Sequence, residues 1–150
     1  MTLPTEILPD HHRHCDGLFV ASEEAVQAGD WALAGKSFER FNAQMQAHFQ
    51  AEEQALFPAF EAATGMSQGP TQMMRHEHEQ MRSLLAQLAE ACAGHDAEGY
   101  GGAAETLLML MQQHNMKEEN ILYPMCDQTL GPQADAICAR MSALLEERHA

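Results

Sequence analysis

Two copies of one string, His-x-x-x-Glu-Glu-x-x-Leu-aromatic-Pro, restrict the possible folds of this chain more than any other feature. The first runs from His48 through Glu52, Glu53, Leu56 and Phe57 to Pro58, and the second from His114 through Glu118, Glu119, Leu122 and Tyr123 to Pro124. Residues four apart on an α-helix differ in direction by only about 40°, so each His shares a face with the first Glu of its copy. Each helix thus offers one imidazole and one carboxylate from one side. Two such helices face to face supply two nitrogens and two carboxylates able to bridge, a mixed N/O set that suits a pair of first-row transition metals.

Gly and Pro divide the chain into four long segments and a tail, with little of the Val/Ile/Thr alternation of strands. The pattern predicts an all-α fold. The first helix is expected to begin near Pro9 and end near Gly29. Asp30 can cap the second, which carries Phe38, Phe41, Met45, His48, Glu52 and Leu56 on one stripe until Pro58 interrupts it. The third follows Gly69-Pro70 and ends around Gly94. The fourth starts after Gly99-Tyr-Gly-Gly102 and runs to Pro124, and Gly131-Pro132 opens a short C-terminal helix. Short connections favour antiparallel neighbours, so an up-down-up-down four-helix bundle is the economical arrangement. A length of 150 residues with 45% hydrophobic content fits one domain, residues 1–150, with a real core.

A net charge of −14 would repel phosphate backbones and anionic lipid, which argues against nucleic acid and membrane surfaces as partners. No apolar run nears the roughly 20 residues of a membrane helix, and residues 1–10 lack the basic and apolar regions of a signal peptide. The expectation is a soluble, cytoplasmic protein. Cys15, Cys92, Cys126 and Cys138 are widely spaced without a Cys-x-x-Cys, so they read as reduced thiols rather than a zinc or iron–sulfur site.

The helical wheel sorts the nine histidines. His78 stands alone on the stripe Met74, Met81, Leu85, Leu88 and Cys92 and points into the core. His76 shares a face with Gln80, Ser83 and Gln87 and reads as solvated; Gln80 also stands where a zincin helix needs its second His. On the first helix His11, His12 and His14 compete, and periodicity slightly prefers His11. His95 and His149 read as surface residues. Glu53 and Glu119 lie 100° further round their helices, as surface charge or as partners of ligating groups. The competing metal-free reading must bury several imidazoles and two carboxylates at matched positions, which is costly without a counter-charge.

With its His on the first helix, His-x-x-x-Glu on the second, Glu77-His78 on the third and His-x-x-x-Glu on the fourth, the chain resembles the hemerythrin-like, or HHE cation-binding, family over nearly its whole length. The resemblance implies a four-helix bundle around a non-haem di-iron centre, two iron ions bridged by carboxylates, with His48, Glu52, His78, His114 and Glu118 as ligands. It favours His12, three residues before Cys15-Asp16, over His11. Oxygen-carrying hemerythrins have two histidines four apart on the third helix. Here Met74 and Arg82 flank His78 at that spacing, so reversible O₂ carriage is in doubt. The expected activity is binding or sensing of O₂, peroxide, nitric oxide or iron itself. The alternatives are a di-iron oxidoreductase acting on peroxide or nitric oxide, an iron-delivery or cluster-repair protein, and a metal-free helical interaction module. A ferritin-like oxidase would need two Glu-x-x-His units, and the only one, Glu146 to His149, lies in the tail.

Overall fold

The computed structural model describes residues 2–147. Its helices are α1 (Pro4–Gln27), α2 (Trp31–Ala51), α3 (Phe57–Thr64), α4 (Pro70–Ala93), α5 (Ala97–Lys117), α6 (Tyr123–Leu130) and α7 (Ala134–Glu147). Single π-helical turns at Glu52–Leu56 and Glu118–Leu122 join α2 to α3 and α5 to α6, and a 3₁₀ turn, Gly131–Gln133, precedes α7. The result is an all-α bundle of four long rods: α1, α2 with α3, α4, and α5 with α6. Among the rods α1 packs on α2 and α5, and α4 on α2 and α5, while α7 lies against α2, α1 and the first π turn.

Local chemistry sets the rod ends. The Asp30 side chain accepts from the backbone N–H of Leu33 and that of Asp96 from Gly99, each satisfying a donor at a helix start. Gly65 ends α3 in the left-handed region at φ 71°, where a side chain would be strained.

Four expected boundaries move. The first helix starts at Pro4, with Pro9 inside it, because Pro4 and Leu8 are buried and Leu8 joins the same apolar cluster as Cys126, Leu130 and Met141. The fourth rod starts at Ala97, before the glycine string: the Asp96 cap and the buried Tyr100, whose hydroxyl lies 2.7 Å from that of Ser22, outweigh glycine's cost of about 1 kcal/mol per residue. Pro58 and Pro124 do not stop their helices. Each falls in the first turn of the segment after a π turn, where a missing N–H costs least.

The core is in two parts. Phe19, Phe38, Phe41, Leu85, Leu88, Tyr100 and Leu107 fill one end of the bundle, and Leu8, Leu56, Phe57, Phe60, Met74, Leu122 and Leu130 fill the other. Along every long rod a buried polar residue marks the change from one cluster to the other: His12 between Leu8 and Cys15, His48 and Glu52 around Phe49 and Ala51, His78 between Met74 and Met81, and His114 and Glu118 between Met111 and Leu122. The apolar ends therefore enclose one polar layer.

Candidate metal centre

Four rods deliver six side chains to that layer. Glu52, His78, His114 and Glu118 each offer a donor atom within 4.8 Å of the others, as do His12, His48 and Glu118. Glu118 belongs to both groups. Its Oε1 lies 3.1 Å from Nε2 of His12 and 3.2 Å from Nε2 of His114, while Oε1 of Glu52 lies 3.0 Å from Nε2 of His78. Nε2 of His48 is 3.7 Å from Oε2 of Glu52. Glu52 and Glu118 are both 0% exposed. Each opens a π turn, closed by the bond from the N–H of Phe57 to the carbonyl of Glu52 and from that of Tyr123 to the carbonyl of Glu118. Isolated π turns recur at functional sites because the extra residue re-aims the side chains that follow.

The outward nitrogens are held as carefully as the inward ones. Nδ1 of His78 donates to Glu53 at 2.7 Å, Nδ1 of His12 to Glu119 at 2.6 Å, and Nδ1 of His114 to Glu77 at 2.7 Å. Arg82 grips both oxygens of Glu53, at 2.8 and 2.9 Å, and Lys117 pairs with Glu77. The fourth imidazole differs: Nδ1 of His48 meets Nδ1 of His11 at 2.8 Å, and Nε2 of His11 meets Oε1 of Gln44 at 2.9 Å. Gln44 fixes the tautomers. His11 donates through Nε2 to the amide oxygen, so its Nδ1 accepts from His48, and the lone pair of His48 is left on Nε2. All four inward imidazoles thus turn Nε2 to the centre and donate through Nδ1.

The two halves are related by an approximate two-fold repeat. Glu52, Glu53 and Phe57 of the first copy serve His78 as Glu118, Glu119 and Tyr123 of the second serve His12: Phe57 stacks on His78 at 5.7 Å and Tyr123 on His12 at 5.8 Å. Glu77, just before His78, holds His114, and His11, just before His12, holds His48.

Without a metal, protons supply the counter-charge. Burial opposes a charge on His114, but the charge of Glu118 and the hydrogen bond to Glu77 raise its pKa to about 10. His12 and His78 also rise: burial lowers each, and the hydrogen bonds to Glu118 and Glu52 respectively more than offset it. Burial lowers His48, and burial with the neighbouring His48 drives His11 down to about 3. The hydrogen bond from His114 holds Glu77 at about 2, and Glu53, though burial pushes it up, is held at about 2 by His78 and Arg82.

Among the described residues, two buried side-chain atoms stay unsatisfied. Nε2 of His114 and Oε2 of Glu118 are buried with no hydrogen-bond partner. Both belong to residues of the polar layer's donor groups, and a buried unpaired polar atom costs about 1–3 kcal/mol. A bound cation would satisfy both, so the donors present fit a metal ion.

The family model of the hemerythrin HHE cation-binding domain matches residues 3–126. The chain belongs to that family. No curated protein and no solved structure matches it. For this HHE domain the polar layer is a cation-binding candidate with a His/Glu donor set.

The structure brings His12, His48, Glu52, His78, His114 and Glu118 into one layer. His11 sits behind His48 rather than among the donors, because one step along α1 turns its ring toward Gln44. Where a fifth histidine is absent, Met74 fills the apolar end and Arg82 clamps Glu53. His76 and His95 are exposed, His95 stacked on Trp31 at 5.0 Å, while His149 lies outside the described residues. All four cysteines are free. Among the described residues no helix is long and apolar enough to cross a membrane. Sequence reasoning missed Glu77 as the clamp on His114 and Tyr123 as part of the centre; their signals were Glu77's place beside His78 and the hydroxyl that distinguishes Tyr123 from Phe57.

Proposed function

We propose that this protein is a non-haem di-iron protein that binds or senses a small oxidant, O₂, peroxide or nitric oxide, or iron itself. The observation that carries the reading is the pair of donor groups joined through Glu118, with Nε2 of His114 and Oε2 of Glu118 left without partners. In this reading His12 and His48 would hold one ion and His78 and His114 the other, with Glu52 and Glu118 as the carboxylate donors of the pair. When bound, two irons together supply two electrons to a small oxidant.

The chain's own residues do the rest. Glu53, Glu77, Glu119 and His11 fix the tautomer and aim of each imidazole, so that the donors are ordered before the ions arrive. The apolar clusters on either side keep bulk water out. A surface cleft of about 460 Å³ between α1 and α5, lined by His12, Asp16, Asn115, Met116 and Glu119 among others, offers an approach for a small ligand. Four free thiols, three of them buried, agree with a reducing, cytoplasmic setting.

The test is spectroscopic. Iron-loaded protein prepared without oxygen should change its visible absorption on exposure to O₂, peroxide or nitric oxide, and silence toward all three contradicts the reading. The second reading is a di-iron oxidoreductase, which the two-electron capacity of a paired site favours. It predicts steady turnover of peroxide or nitric oxide with a reductant, whereas a sensor changes its spectrum without turnover.

A further inference from the structure

Two breaks in the two-fold repeat of the centre fall on the His12/His48 side. Where Glu77 clamps His114, the neutral His11 clamps His48; where the first copy has Phe57, the second has Tyr123. The outer carboxylates therefore number two around His78 and His114, from Glu53 and Glu77, and one around His12 and His48, from Glu119. That half holds one outer carboxylate fewer, while both outer carboxylates of the other half are paired with cations, Arg82 and Lys117.

Tyr123 stands on the half with the single outer carboxylate. Its side chain is fully buried, and its hydroxyl oxygen lies 2.6 Å from Oε2 of Glu52, 2.8 Å from Oε1 of Glu118, and 3.3 Å from Nε2 of both His12 and His48. Two carboxylates compete for its single hydrogen, and only one can accept it. The neighbours are the inward donor atoms of four proposed ligands. Donors at about 2.1 Å from one ion and at right angles to each other are roughly 3 Å apart, the range of these separations. The π turn sets the position: the bond from the Tyr123 N–H back to the Glu118 carbonyl brings residue i+5 onto the side chain of residue i.

We propose that Tyr123 is a seventh protein donor, binding as a phenolate the metal held by His12 and His48. The inference rests on the di-iron reading above. On coordination the O–H bond is replaced by an oxygen–metal bond, and the proton is released to solvent. The phenolate would give an anionic donor to the half where the neutral His11 stands in the place of a carboxylate. As a hard, anionic donor it favours the ferric state of that ion.

The chain has two tyrosines, so the assignment can be made by vibration. Tyr100, whose hydroxyl pairs with Ser22 in the other core cluster, is the control. Wild type, Tyr123→Phe and Tyr100→Phe are loaded with ferrous iron in air, desalted, assayed for iron per chain, and examined by visible absorption and resonance Raman. Wild type and Tyr100→Phe should show a phenolate-to-iron band with enhanced tyrosine ring modes. Tyr123→Phe should keep iron and its helical circular dichroism while losing band and ring modes completely. If Tyr123→Phe fails to fold, ring modes retained in Tyr100→Phe still assign the donor to Tyr123. Wild type that holds two irons without ring modes overturns this inference and leaves the di-iron reading standing, as does a band that survives in Tyr123→Phe. Wild type that retains no iron overturns both.

Discussion

Nδ1 of His48 lies 2.8 Å from Nδ1 of His11, and a single proton serves both nitrogens. With Gln44 fixing His11, that proton belongs to His48, and the Nε2 lone pair of His48 faces the centre. Replacing His11 by Phe keeps a ring but leaves His48 free to adopt the wrong tautomer. Metal affinity should fall about 10–100-fold, the usual effect of losing a partner of a ligating histidine. Competition with a chromophoric chelator reads this directly, and a change below about twofold would count against the relay.

Glu53 links Arg82 to His78, so Glu53→Ala leaves the buried His78 Nδ1–H without its acceptor, while Arg82 keeps Gln46 and Glu79. Unfolding of the metal-free protein in urea should show a loss of about 1–3 kcal/mol, the range for orphaned hydrogen-bonding groups. His76→Ala, on the exposed face of the same helix, should stay within about 0.5 kcal/mol. Equal effects would mean that Glu53 is ordinary surface charge.

The metal-free protein should lose stability on both sides of a maximum near neutral to mildly acidic pH. His114, raised to about 10 from 6.5, contributes fully below 6.5, and its contribution is lost as pH rises through 10. Glu53 and Glu77, held at about 2 against 4.5 when unfolded, contribute above 4.5 and fail as pH falls through 2. His11, lowered to about 3, adds to the acid loss, because below 6.5 the unfolded chain takes up a proton that the folded chain refuses. Metal binding requires the neutral imidazole of His114, so iron-loaded protein should lack this alkaline loss. Calorimetry of chelator-treated and iron-loaded samples compares the two, and a flat alkaline side in the chelator-treated protein contradicts the assignment.

Pro58 and Pro124 lie within rods that continue to Thr64 and Leu130. Pro58→Ala and Pro124→Ala should therefore leave helical circular dichroism unchanged and shift stability by about 1 kcal/mol or less. A gain of several kcal/mol in either variant would show that the proline breaks its helix.

The spacing His-x-x-x-Glu was legible because helical geometry fixes it, and with it came the faces of His48, Glu52, His114 and Glu118. His78 was legible because it interrupts an apolar stripe. The choice between His11 and His12 was not, since both rings turn inward and only the position of Gln44 on α2 separates them. The prolines misled for a related reason: the rule that ends a helix at Pro assumes an unbroken i→i−4 ladder, and the π turns break it just before Pro58 and Pro124. Glu77 could not be assigned from its own helix, because its partners, His114 and Lys117, come from α5.

Because Glu118 belongs to both donor groups, iron content measured on wild type and Glu118→Ala, after loading and desalting, tests the central claim most directly. The account predicts about two irons per wild-type chain and loss of both in Glu118→Ala, consistent with two-metal chemistry on shared carboxylates. Less than one iron in the wild type, or two retained in Glu118→Ala, would contradict it.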